Sequence, residues 1–164
     1  MKEKGIESID AMKEDRYVVR PIEKNEENVE AVLRIDHEAF NNVVLNNWTL
    51  PAYIRNGRAF GLFVDEMLSG YAIYLRDWND PGLAYLAEFA IDKAHQGKGY
   101  ATSLHYLKRD KISKVGPNVD PMNSRALHVH QDKFGFRFVE HCPNEYGRDR
   151  DRSYLELDLE KWTG

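Results

Sequence analysis

Hydrophobic and polar positions follow two periods along the chain, and the switches between them outline a run of strands and helices. Tyr17 to Ile22 reads as a short strand, with Pro21 placing it toward a sheet end because proline cannot donate to a ladder. Asn25 offers a helix cap, and Val29, Val32, Ile35, Ala39 and Phe40 follow as an apolar stripe at helical spacing. Thr49 is read as the cap of a shorter helix that has Pro51 in its first turn and stops at Asn56-Gly57. Ala59 to Val64 and Leu68 to Leu75 are strands, and the two-residue link Asp65-Glu66 predicts an antiparallel hairpin. A loop over 77–82, rich in Asp, Asn, Pro and Gly, leads into a third strand-like run, Leu83 to Ile91. From Lys98 to about Arg109, Tyr100, Ala101, Leu104 and Leu107 recur every three or four positions and predict a helix. Val115 to Val119 then reads as a strand, Asn123 to about Phe134 as a helix, and Phe136 to His141 and Ser153 to Leu159 as strands.

The order β-α-α-β-β-β-α-β-α-β-β predicts an α/β (α+β) domain: a mixed, mostly antiparallel central sheet flanked by helices. No internal repeat or low-complexity tract divides residues 17–164, which are treated as one domain. Residues 1–16 are polar, with Ile6, Ile9 and Met12 at roughly helical spacing, and fit either a loosely docked helix or a frayed tail.

Composition narrows the class. The 164 residues suit one domain, and 42% hydrophobic with 30% charged residues suits one packed core. No apolar run exceeds about seven residues, against the ~20 needed to span a bilayer. Met1-Lys2-Glu3-Lys4-Gly5 does not lead into a signal-peptide stretch. A single cysteine, Cys142, excludes an intramolecular disulfide and fits a reducing compartment. With 23 basic and 27 acidic residues the net charge is −4, which argues against nucleic acid as a partner. These features predict a soluble cytoplasmic domain with no membrane partner; a homodimer is left open.

The most informative stretch is Ile91-Asp92-Lys93-Ala94-His95-Gln96-Gly97-Lys98-Gly99-Tyr100-Ala101-Thr102. A strand ends, a turn with two glycines follows, and a helix begins. The first N–H groups of a helix lack internal partners and the helix dipole adds positive potential there, so this geometry suits a phosphate or pyrophosphate. A Walker loop would need Ser or Thr after Lys98, where Gly99 stands. A dinucleotide fingerprint would need glycine at Thr102 and glycines directly after the strand, yet Asp92 to His95 intervene.

Gln96-Gly97-Lys98-Gly99-Tyr100-Ala101 instead resembles the Gln/Arg-x-x-Gly-x-Gly/Ala signature of the GNAT superfamily of N-acetyltransferases. Phe89-Ala90-Ile91-Asp92 resembles the strand end that precedes the loop in that family. Asn123-Ser124-Arg125-Ala126 looks like its Asn-x-x-Ala segment, and Lys133-Phe134-Gly135-Phe136 like its closing Lys-x-Gly-Phe. Two departures stand out. The stretch from Gly99 to Asn123 is about five residues shorter than is usual in the family. One extra residue lies between Asn123 and Gly135, and His130 stands where the family has tyrosine.

The resemblance implies acetyl-CoA as cosubstrate and a primary amine of a small molecule or peptide as acceptor; no His-Glu-x-x-His, Cys-x-x-Cys or calcium-type carboxylate cluster occurs, so no metal is implied. It implies a pyrophosphate site on the N–H groups of Gln96, Gly97, Lys98, Gly99, Tyr100 and Ala101, with Lys98 or Thr102 as extra contacts and Asn123 nearby. The pantetheine arm would pair with the backbone of Phe89, Ala90 and Ile91. An alkylamine has a pKa near ~10 and must lose a proton before it attacks. Glu88, directly before the pantetheine-pairing backbone, is the candidate base, with Tyr85 as the alternative. Strand alternation leaves open which way Glu88 faces. His130 is the candidate donor to the departing thiolate. A noncatalytic CoA-binding sensor and a plain interaction domain are the competing functions.

Overall fold

The computed structural model describes residues 16–41 and 45–164; the helix or tail expected over residues 1–16 falls outside them but for Arg16. Seven strands form one sheet: β1 (Tyr17–Pro21), β2 (Arg58–Val64), β3 (Met67–Arg76), β4 (Leu83–Ile91), β5 (Lys114–Val119), β6 (Arg137–Cys142) and β7 (Arg152–Asp158). Their spatial order is β1-β2-β3-β4-β5-β7-β6, and every neighbouring pair is antiparallel except β4 with β5. Four α-helices flank the sheet: α1 (Glu26–Phe40), α2 (Thr49–Asn56), α3 (Tyr100–Arg109) and α4 (Ser124–Leu127), the last running into a π-helical turn, His128–Lys133. The expected element order and the mostly antiparallel sheet are both present.

Local chemistry explains most boundaries. Asn25 Oδ1 accepts the Asn28 N–H at 2.8 Å and starts α1 as the sequence predicts. Thr49 does not cap α2: Asn46 Oδ1 accepts from the N–H groups of both Trp48 and Thr49. Asp65 and Glu66 both have positive φ, 47° and 66°, the twist that joins β2 to β3 through a two-residue turn. The helix expected from Lys98 begins at Tyr100, behind Gly99. Arg152, expected in the last loop, opens β7.

Two cores lie on the two faces of the sheet. On one face α1 and α2 place Val32, Ile35 and Leu50 against Phe63, Tyr71, Ile73 and Ala90. On the other, Tyr100, Leu104 and Leu107 of α3 pack on Leu62, Ala72, Leu86, Val115 and Leu155. Among the described residues no helix is long and apolar enough to cross a membrane.

Two irregularities in the middle of the sheet position the site. β4 pairs with β5 only from Leu83 to Leu86, and beyond that point the two strands part. The β4 edge over Phe89–Ile91 therefore faces an opening on one side while it stays bonded to β3 on the other. In the β3–β4 ladder the register shifts between Ile73 and Tyr74, which pair with Glu88 and Leu86, so Ala87 is an extra residue.

Candidate active site

The bulge at Ala87 decides which way Glu88 points. Ala84 and Leu86 belong to the α3-side core, and unbroken alternation would bury Glu88 beside them. The extra residue resets the parity: Phe89 and Ile91 pack on the α3 side, Ala87 and Ala90 on the α1 side. Glu88 accordingly projects on the α1 side, partly buried, where the sheet opens. Burial, reinforced by the nearby Asp36 carboxylate, pushes its pKa up to about 7. A carboxylate so tuned is half ionised near neutral pH, the range in which a general base works best.

Asp36 was not singled out by the sequence reading, although Val32, Ile35, Asp36 and Ala39 share one helical stripe, so an acid there was due for burial. It is 1% exposed. Its Oδ1 accepts the Tyr71 hydroxyl at 2.6 Å and its Oδ2 the Leu45 N–H at 3.0 Å, tying Leu45, ahead of α2, to β3 through α1. Burial and this hydrogen bond to Asp36 hold the Tyr71 phenol well above its ordinary pKa.

Further along the same face, the hydroxyls of Tyr85 and Tyr146 meet at 2.7 Å. This contact joins β4 to the loop between β6 and β7. Asn118 Nδ2 reaches Glu145 Oε1 at 3.5 Å, pinning the loop to β5 as well. Burial raises the Tyr85 phenol above the range in which it could accept a proton near pH 7, leaving Glu88 the better base of the two.

At the end of β4 the glycine turn has the geometry an anion needs. Gly97 and Gly99 have φ of +90° and +82°, conformations costly for other residues. A Cβ at Gly99 would stand 3.0 Å from Val19 Cγ2 and 3.1 Å from Leu62 Cδ1, whereas one at Gly97 would meet nothing within 4 Å. Gly99 is thus fixed by packing, and Gly97 by backbone shape with open space before it. The first intrahelical bond of α3 runs from Ser103 N–H to Gly99 C=O at 3.2 Å, so the N–H groups of Tyr100, Ala101 and Thr102 lie ahead of the ladder. Tyr100 offers only that backbone group, since its ring packs against Phe89 and Phe134 at centroid distances of 4.6 and 4.7 Å. Thr102 is exposed, and the Lys98 ammonium lies 5.8 Å from the Tyr17 ring centroid.

Two predicted positions turn out to carry structural duties. Asn123 Oδ1 accepts the Ala126 N–H at 3.0 Å and caps α4. Arg125, within the Asn-x-x-Ala segment, donates to Gln96 Oε1, bringing a guanidinium to the glycine turn. His130 lies inside the π-helical turn, the form in which a helix absorbs one extra residue. It is 6% exposed, its ring edge-on to Phe136 at 5.0 Å and Tyr100 at 5.9 Å, and its Nδ1 has no hydrogen-bond partner. Burial lowers its pKa to about 4, so the ring is neutral at pH 7. These surroundings do not favour the proton-donor role expected for it. Among the described residues no group of three or more His, Cys, Asp and Glu is arranged to hold a metal ion.

The model of the acetyltransferase (GNAT) family matches residues 12–136, which take in the opened strand, the glycine turn and the segment from Asn123 to Phe136. The chain belongs to that family. No curated protein matches it. Among solved structures it resembles Ard1 from Thermoplasma volcanium, with a TM-score of 0.71 and 15% identity over 87% of this chain and 97% of that one. The ribosomal-protein-S18-alanine N-acetyltransferase of Escherichia coli superposes with a TM-score of 0.69 at 17% identity, covering 88% and 94%. A Bacillus subtilis acetyltransferase in complex with CoA gives 0.65 at 15% identity over 87% and 99%. At these identities the likeness shows the GNAT fold. The family assignment makes the chain an acyltransferase of the acetyl-CoA-using class.

Proposed function

We propose that this chain transfers the acetyl group of acetyl-CoA to a primary amine of a small molecule or peptide by direct attack within a ternary complex. The observation that carries this reading is Glu88: a bulge turns a partly buried carboxylate with a pKa of about 7 toward the opening beside the unpaired edge of β4. The glycine turn fits the pyrophosphate of the cosubstrate, since it combines open space at Gly97 with free helix-start N–H groups. Its residues Gln96 to Thr102 bind the phosphates, Arg125 adds a positive charge beside them, and the backbone of Phe89, Ala90 and Ile91 orients the pantetheine arm. Asn123 acts through the cap that places Arg125.

Bound acetyl-CoA supplies an activated thioester. Glu88 takes the proton of the incoming ammonium, directly or through water, and the amine is then free to attack. Holding amine and thioester side by side in the gap between β4 and β5 contributes further. A thiol with a pKa near ~8.5 leaves readily, so with His130 neutral its protonation falls to solvent. The sensor alternative draws no support from a site that keeps an ionisable base at its opening. The test is acetyl-CoA turnover, followed as thiol release across an amine panel at several pH values. With wild-type protein the rate should rise through about pH 7, and Glu88→Gln should remove that rise.

A further inference from the structure

The acceptor side of the sheet holds a cation that the transfer chemistry leaves unused. Ser153, Leu155 and Leu157 of β7 are buried in the α3-side core, so Arg152, Tyr154 and Glu156 project on the opposite face, the face of Glu88. Tyr154 covers Gly116 of β5: a Cβ there would stand 2.6 Å from two of its ring carbons. Arg152 stands where the sheet opens. Leu86–Pro117 is the last β4–β5 pair and Ser153 pairs with Val119, so Glu88 on β4 and Arg152, one step beyond Ser153 on β7, both lie past the point where β4 and β5 part. The carboxylate and the guanidinium therefore flank the gap from β4 and β7, with the end of β5 between them.

The Arg152 guanidinium is held in place. It lies 4.1 Å from the centroid of the Tyr146 ring, and Nη1 donates to Asp151 C=O at 2.7 Å. The Tyr146 hydroxyl in turn meets Tyr85 of β4 at 2.7 Å, so one tyrosine spans from the arginine to the strand that carries the base. The nearest acid in sequence, Asp151, is engaged elsewhere: its carboxylate accepts from Asn144 N–H at 2.8 Å and faces His141 Nε2 at 3.1 Å. Arg152 is partly buried, yet no carboxylate among the described residues forms an ion pair with it. A guanidinium held over an aromatic ring and left with spare donors is preorganised for a planar oxyanion.

Resting on the transferase reading above, we propose that Arg152 is a specificity-determining residue that binds a carboxylate of the acceptor, so that the preferred substrate is an amine carrying a carboxylate a few bonds away. Glu88 receives the ammonium end and Arg152 the carboxylate end, with the Tyr146 ring between them setting their spacing. The carboxylate belongs either to a free amino acid or to an acidic first residue of a peptide.

Initial rates at saturating acetyl-CoA on matched acceptors test this: the free amino acids against their α-carboxamides, and Asp- or Glu-initiated tripeptide amides against their Asn or Gln counterparts. Wild-type protein should prefer the carboxylate member of at least one series by about tenfold or more, mainly in KM. In Arg152→Gln that ratio should fall to about one, and Arg152→Lys, which keeps the charge but not the fork, should restore it only in part. The series showing the preference tells whether the source is an amino acid or a peptide. Equal rates on both members, a preference that survives Arg152→Gln, or a loss of acetyl-CoA affinity in Arg152→Gln would each overturn the assignment. Turnover of carboxamides alone would overturn it while leaving the transferase reading intact. Failure of every amine, with acetyl-CoA bound, would count against both.

Discussion

At the scale of single residues, two titrating groups shifted by burial, Glu88 and His130, give opposite pH signatures. Glu88 has its pKa raised to about 7, and in the proposed role it acts only when ionised, so kcat/KM should climb through that pH. Glu88→Gln keeps the shape and loses the basicity. It should lower kcat by about 10²-fold or more with acetyl-CoA affinity unchanged, and flatten the profile. Equal kcat and an unchanged profile would shift the work to positioning alone. For His130 the sign runs through stability. Its folded pKa of about 4 lies below the ordinary 6.5, so between those values the unfolded chain binds a proton that the folded chain refuses. Stability should therefore fall as pH drops from about 6.5 to 4, by roughly 3 kcal/mol. His130→Phe should remove most of that fall in denaturant titrations at pH 7 and pH 4.5, with kcat little changed.

At the scale of elements, the sequence carried the periods and the punctuation but not the places where one residue too many is absorbed. The Asn25 cap, the stop at Asn56-Gly57, the hairpin at Asp65-Glu66 and the glycine turn all follow from local chemistry and were readable. The bulge at Ala87 was not, because it is set by how β4 matches β3, and so the facing of Glu88 stayed open. The extra residue before Gly135 was visible, while its resolution as a π-helical turn that buries His130 depended on packing against Tyr100 and Phe136. Arg152 fell one residue short of the strand expected from Ser153, and the ring it lies over, Tyr146, comes from the β6–β7 connection, a contact that local sequence does not show. Two substitutions probe elements directly. Glu66→Gly relieves a left-handed conformation at φ 66° and should stabilise the protein by about 1 kcal/mol, seen as a higher denaturant midpoint at unchanged slope. Gly97→Val meets no neighbour but is strained at φ +90°, so it should reshape the turn and leave the core packed, while acetyl-CoA binding weakens by about tenfold or more, equivalent to ~1.4 kcal/mol. Gly99→Val is the poorer probe, since its side chain would press on Val19 and Leu62 and disturb the core as well as the loop.

At the scale of the whole molecule, the sheet separates two packed layers. On one face α3 closes a core and aims its N-terminus at the glycine turn. On the other, α1 and α2 cover the sheet out to β4, and the β6–β7 loop reaches back from the far edge through Tyr146. Between them β4 and β5 part after Leu86 and Pro117, which leaves an inner strand edge without a partner among the described residues. The central claim is that acetyl-CoA completes this sheet and sits on the turn beside it. Amide hydrogen exchange of the wild-type protein with and without acetyl-CoA tests that claim without knowledge of the acceptor. New protection should concentrate at Phe89–Ile91 and at residues 96–102, while the β1–β2 and β6–β7 ladders exchange as before. Saturating acetyl-CoA that leaves both segments unprotected, or protects only residues remote from them, would contradict it.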